Sequence, residues 1–280
     1  MSFGPLVDVD WLRAELGQPG LRVVDCRWRL GRPGAGREAY LAGHVPRAAF
    51  LDLDTDLADP PGERGRHPLP DPARFAAAAR AAGVSAGSRV VAYDEAGEGG
   101  AARLWWLLRH FGHDDVAVLD GGLTAWREEG GELVPGEEHP PAGDFTARPR
   151  DDDAAEADEI EAGGLTLIDA RAAERYDGRV EPVDPVAGHI AGAANVPFGE
   201  LALGGRYLPP AELRERLEQA GATEEGEFVA YCGSGVSACT LVLAAELAGL
   251  RARLYPGSWS EWCRYHPAQD PTRGGSGTST

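Results

Sequence analysis

Short runs of β-branched and apolar residues alternate along this chain with longer stretches whose apolar positions recur at helical spacing. "LRVVDCRW" (21–28) is a strand-like run that ends on an aspartate, and "YLAGHVPRAAFLDLD" (40–54) follows it. In the second half "LTLIDARAAERYDG" (165–178) is followed by "VAGHIAGAANVPF" (186–198). Asp25 thus matches Asp169, and Gly43-His44 matches Gly188-His189. The match continues: "SRVVAYDEAGEGGAARLWWLLRHFG" (88–112) parallels "GEFVAYCGSGVSACTLVLAAELAG" (226–249), each reading as a strand, a small-residue loop and an amphipathic helix. "DVAVLDGGLTAWREEGG" (115–131) parallels "RARLYPGSWSEWCRYH" (251–266) in the same way. One α/β unit is therefore used twice, and strands alternating with helices imply a parallel sheet in each copy.

The repeat divides the chain into domains at 1–140 and 141–280. A segment rich in proline, glycine and acid at about 134–159 reads as the linker, and 271–280 reads as a frayed tail. Within the linker, the acidic run 151–159 is expected to be a solvated helix start and not a metal site.

Composition narrows the function classes. A formal charge of -18 disfavours nucleic acid and anionic membrane surfaces as partners. An anionic substrate would have to be met by locally placed arginines or amides. All 27 basic residues are arginine, which removes Schiff-base and Walker lysine chemistry. The four cysteines at 26, 232, 239 and 263 have no C-x-x-C spacing, so neither a zinc ribbon nor a disulfide scaffold is expected. No apolar run reaches membrane-spanning length, and the start of the chain lacks a secretory pattern. The expectation is a soluble cytoplasmic protein without metal or cofactor.

"YCGSGVSAC" (231–239) is the chemically loaded stretch. Phe228 to Tyr231 reads as a buried parallel strand and Thr240 to Ala248 as a helix, which puts Cys232 at the carboxyl end of a strand, where open α/β sheets bind ligands. Gly233 and Gly235 let backbone N–H groups turn inward. Successive amides and a helix N-terminus favour the thiolate, the reactive form of cysteine. Cys26, Cys239 and Cys263 read instead as packed residues. A cysteine phosphatase would need an arginine six residues after the nucleophile. That position is Ala238, so the loop suits attack on something smaller than phosphate, such as sulfur.

Here the chain resembles the two-domain rhodanese family of thiosulfate and 3-mercaptopyruvate sulfurtransferases, from about residue 5 to 268. "CGSGVSAC" and "ARLYPGSWSEW" (252–262) carry the resemblance most specifically. "YLAGHVPRAAFL" (40–51) resembles the N-terminal signature, with Arg47 where a glycine is usual, and Ala191 replaces the corresponding proline in the second copy. The resemblance implies two tandem rhodanese-like domains, each a parallel sheet flanked by helices, of which only the second is catalytic. Asp94 stands in the first copy where Cys232 stands in the second, and it cannot carry sulfur.

The implied reaction is ping-pong, with a Cys232 persulfide stabilised by the amides of Gly233 to Ser237, Val236 among them, and by the Ser237 hydroxyl. The implied donor is 3-mercaptopyruvate or thiosulfate, and the acceptor cyanide or a thiol such as thioredoxin. The neutral Gly233-Ser234 pair leans toward mercaptopyruvate. By resemblance Arg175 meets the donor's anionic group. The mercaptopyruvate group has a second arginine nine residues later, where this chain has Asp184, so Arg179 is taken as its substitute. Asp54 and His67 fall where such enzymes resemble a serine-type relay, Asp–His–Ser, completed by Ser234. The alternative is an idle rhodanese-like module that binds a partner or senses oxidation; an intact Cys232 argues against it. His44 and His189 are expected to fix a turn, Asp25 and Asp169 to accept loop hydrogen bonds, and Trp105, Trp106, Trp126, Trp259 and Trp262 to pack in cores and at the domain interface.

Overall fold

The computed structural model describes residues 3–266, so the expected tail at 271–280 lies outside the described residues. The first half runs β1 (Leu6–Val7), α1 (Val9–Glu15), β2 (Leu21–Asp25), α2 (Ala35–Ala42), β3 (Ala48–Phe50), α3 (Pro72–Ala81), β4 (Arg89–Tyr93), α4 (Gly100–His110), β5 (Val116–Leu119) and α5 (Gly122–Glu128). Its strands form one parallel sheet in the order β1-β5-β4-β2-β3. Two of these helices start where a side chain satisfies their first amides: Asp8 accepts from Trp11 N at 2.7 Å, and Asp71 caps α3 ahead of Pro72.

The second half runs α6 (Ala157–Ala162), β6 (Thr166–Asp169), α7 (Ala173–Tyr176), β7 (Ala194–Asn195), a small ribbon β8 (Ala202–Leu203) and β9 (Arg206–Tyr207), α8 (Pro210–Gln219), β10 (Glu227–Tyr231), α9 (Ser237–Leu247), β11 (Arg251–Leu254) and α10 (Ser258–Tyr265). Its parallel sheet has the order β11-β10-β6-β7, which repeats β5-β4-β2-β3 of the first. Even β1 has a counterpart, since Ala154 bridges Leu254 in parallel as Leu6 does Val118.

The repeat extends to side chains. Asp25 accepts from Arg27 and Tyr93, and Arg27 reaches the carbonyl of Gly43 at 2.8 Å. Asp169 accepts from Arg171, which reaches the carbonyl of Gly188 at 2.7 Å. His44 and His189 bond the carbonyls of Tyr40 and Tyr176 and stack on those same rings. The expected turn-fixing roles hold, with the aspartates also ion-paired to buried arginines.

One expectation needs correction. Helix α9 is not amphipathic: Ala238 to Ala245 are all buried, because α9 and α4 pack on each other between the sheets. One apolar core therefore runs through both halves, from Val24 and Trp105 to Leu243 and Leu254, and each half keeps a smaller core on the other face of its sheet. The linker after α5 runs along the first domain: Val134 pairs with His44, Phe145 is buried edge-on to Phe75, and Arg150 N bonds the carbonyl of His110. Trp105, Trp106, Trp126, Trp259 and Trp262 are all buried as expected. No helix of the described residues is long and apolar enough to cross a membrane.

Candidate active site between the two domains

Cys232 follows the last residue of β10, is 3% exposed and opens the loop that ends at α9. The loop is held from outside by the start of α10. Cys232 N donates to Ser258 Oγ at 3.1 Å, the Cys232 carbonyl accepts from Trp259 N at 3.0 Å, and the Gly233 carbonyl accepts from Ser260 N at 2.9 Å. Gly235 adopts φ +74, and a Cβ there would stand 2.4 Å from the Pro256 carbonyl oxygen, so only glycine fits the turn. Its own carbonyl accepts from Arg103 Nη1 at 3.1 Å and from Cys239 Sγ at 3.2 Å. The carbonyls of Cys232, Gly233, Gly235 and Val236 are thus bonded, while the amides of residues 233 to 237 meet no protein acceptor among the described residues.

The first copy shows what such amides do when an anion is built in. The Asp94 carboxylate accepts from Gly97 N at 2.7 Å, Gly99 N at 3.0 Å and Ala101 N at 3.2 Å. In the second copy Cys232 takes Asp94's place. Helix α9 starts at Ser237, three residues ahead of the expected Thr240. Its first turn abuts the first domain, because a Cβ on Gly99 would stand 3.4 Å from Val236 Cγ1 and 3.4 Å from Ser237 Cα. Val236 is buried in this contact and Ser237 opens the helix.

The first domain brings the other expected groups. His67 Nδ1 lies 2.7 Å from Ser234 Oγ, and His67 Nε2 lies 3.2 Å from Asp54 Oδ1. Asp54 can only accept as a carboxylate, so the neutral ring carries its proton on Nε2 and Nδ1 accepts from the Ser234 hydroxyl. Trp28 Nε1 also donates to Asp54, at 2.9 Å, and the Trp28 ring sits edge-on to His67. Burial holds the imidazole below the ordinary histidine range; the bond to Asp54 opposes this, and the charges of Arg103 and Arg66 add to it. The bond from His67 holds Asp54 below the usual carboxylate range against its burial. Asp54, His67 and Ser234 therefore form one chain across the domain interface.

Arg175 is also at the loop: a Cβ on Gly233 would stand 3.4 Å from its Nη1. Arg179 is not. Its guanidinium is 61% exposed and bonds Asp177 at 2.9 Å, because the loop after α7 turns it outward. The structure brings Arg66 to the loop instead, with Nη2 3.0 Å from the same Gly233 position. Arg66 carried no sequence signal beyond its place beside His67. The remaining cysteines are packed as expected: burial raises the thiols of Cys26 and Cys263 and pushes Cys239 up to about 12.

Residues 8–129 and 153–265 each match the family model described as a rhodanese-like domain. The chain belongs to the rhodanese-like family. Among its rhodanese relatives, a probable 3-mercaptopyruvate sulfurtransferase of Pseudomonas aeruginosa is 46% identical over 94% of this chain and 96% of its own length. A putative thiosulfate sulfurtransferase of Mycobacterium tuberculosis is 45% identical over 92% of this chain and 91% of its own. Among solved structures, the 3-mercaptopyruvate sulfurtransferase from Leishmania major matches with a TM-score of 0.84 at 32% identity, covering 96% of this chain and 76% of that one.

Proposed function

We propose that this sulfurtransferase carries sulfur as a Cys232 persulfide and takes it from 3-mercaptopyruvate. The observation that supports the reading best is the pairing of a cysteine beside unspent loop amides with an Asp54–His67–Ser234 chain that ends next to it. Cys232 as thiolate attacks the donor's sulfur, forming an S–S bond, and the donor's C–S electron pair leaves as the enolate of pyruvate. The proton borne by the donor thiol passes through Ser234 and His67 to that enolate, so the products are a persulfide anion and pyruvate. The loop amides and the N-terminus of α9 lie where the persulfide's charge develops, as the Asp94 loop surrounds its carboxylate. In the second half-reaction an acceptor thiolate attacks the outer sulfur, and the Cys232 thiolate departs. Small thiols, thioredoxin and cyanide all have the required nucleophile.

The donor assignment follows from what each donor needs. Thiosulfate releases sulfite, which leaves without a proton, so the relay would be idle. Mercaptopyruvate releases a basic enolate, and a neutral His67 bonded to Ser234 is placed to handle its proton. Intact mass after incubation with 3-mercaptopyruvate tests the reading: one sulfur atom is expected on the peptide containing Cys232, and none in Cys232→Ser. Absence of the adduct with both mercaptopyruvate and thiosulfate would leave the protein without a persulfide cycle.

A further inference from the structure

We infer that Arg66, a residue of the first domain, is the second arginine of the anion site at the cysteine loop, and that Asp184 aims it there. The inference deepens the reading of an anionic sulfur donor and rests on it. It begins with Gly233: a Cβ at this position would stand 3.0 Å from Arg66 Nη2 and 3.4 and 3.5 Å from the two terminal nitrogens of Arg175. Two guanidinium groups from different domains thus press on the residue next to Cys232, and a glycine there is what lets them approach.

Their other edges are occupied. The Asp184 carboxylate, 3% exposed, bonds Arg66 Nη1 through one oxygen and Arg175 Nη2 through the other, the latter at 3.1 Å. Glu181 takes Arg175 Nε at 3.2 Å and Nη2 at 2.7 Å. Asp184 is itself fixed, since its amide donates to Glu181 Oε1 at 3.0 Å. Arg175 Nη1 and Arg66 Nη2 face the loop with no acceptor of their own among the described residues. The buried Arg66 Nε likewise has no partner. Guanidinium donors left over in this way suit a planar carboxylate.

The backbone of Arg66 is pinned as well as its side chain. Arg66 N donates to Ser260 Oγ at 3.0 Å, and a Cβ on neighbouring Gly65 would stand 2.7 Å from the Gly257 carbonyl oxygen. The 62–67 turn is therefore wedged onto the start of α10, the same segment that holds the cysteine loop. An acid at 184 works with an arginine at 66: the acid supplies no charge to the donor but turns a guanidinium toward it from across the interface.

Alkylation of Cys232 by iodoacetate and by neutral iodoacetamide tests this without any sulfur donor, because only iodoacetate carries the carboxylate. In Arg66→Ala the iodoacetate-to-iodoacetamide rate ratio is expected to fall about tenfold, the loss of one charge-assisted bond, with iodoacetamide alone nearly unchanged. Asp184→Ala, which leaves Arg66 present but unaimed, should lower the ratio several-fold by the same reasoning. Arg66→Ala combined with Asp184→Arg should recover most of it. A ratio unmoved in both single variants, rates that fall equally for both reagents, or no recovery in the double variant would overturn the proposal. Sulfur uptake by the wild type, read by mass, stands or falls separately.

Discussion

Arg103, on a helix of the first domain, donates to the carbonyl of Gly235 in the cysteine loop of the second at 3.1 Å. The same guanidinium reaches the carbonyls of His67 at 3.1 Å and Leu57 at 3.3 Å, and it is 0% exposed. One buried cation thus ties the loop that shapes Cys232's surroundings to the middle residue of the relay. No carboxylate bonds it among the described residues; burial lowers its pKa, and Cys239 and Cys232 are the ionisable groups that oppose this. Arg103→Met should cost about 2–4 kcal/mol in urea unfolding, because it strands buried carbonyls. It should also slow transfer from mercaptopyruvate and thiosulfate alike, since both need the loop. Full activity with either donor in a folded Arg103→Met protein would show that the brace is structural alone.

His67 separates the two donors. Removing a positioned acid–base group typically costs about 100-fold or more in the step it serves. His67→Ala should therefore lower kcat/KM for mercaptopyruvate by about that factor, and leave thiosulfate within a few-fold. Ser234→Ala should follow the same split. Comparable losses with both donors would mean that the histidine supports the loop and moves no proton.

The same residue makes stability depend on pH in a calculable direction. His67 is held neutral, its folded value lying below the ordinary histidine value of about 6.5. As pH falls through that ordinary value, the unfolded chain takes up a proton that the folded protein refuses, so stability declines until the lowered folded value is reached. His113 is shifted in the same direction by burial and adds to the decline. His67→Gln should flatten the fall in Tm between pH 7 and 5 relative to the wild type. Parallel Tm curves for the two proteins would contradict a depressed histidine at this position.

What could be read from the sequence was what local chemistry writes. The strand–loop–helix at 228–248 showed itself through an apolar run and two glycines, and the repeat exposed Asp94 as the counterpart of Cys232. Helix α9 starts at Ser237, ahead of the expected Thr240; Ser237 and Ala238 look like loop in sequence, and the first turn sits against Gly99 of the first domain. Arg103 was hidden in a helix that reads as amphipathic; its burial depends on the carbonyls of Leu57, His67 and Pro68 in its own domain and on Gly235 of the second, none of them near it in sequence. Arg66 was hidden more deeply. Its approach to Gly233 depends on a turn of the first domain docking on Ser260 of the second, which no spacing within "GERGRHPLP" records.

The repeat also predicts a stabilising substitution. Arg47 and Gly192 occupy matching places three residues after His44 and His189, and both are left-handed, with φ +68 and +82. Left-handed backbone strains an arginine and not a glycine. Gly192 has open space around its Cβ position, so conformation and not crowding accounts for the glycine there. Arg47→Gly should therefore raise stability by roughly 0.5–1 kcal/mol, the strain relieved less the extra freedom that glycine gives the unfolded chain. The Arg47 side chain lies beside Gly17 of the first domain, and kcat with either donor should not change. The converse variant, Gly192→Arg, should destabilise by at least as much. A thermal melt of the two variants beside the wild type measures both, and an Arg47→Gly protein that melts lower would mean that the arginine's contacts beside Gly17 outweigh its backbone strain.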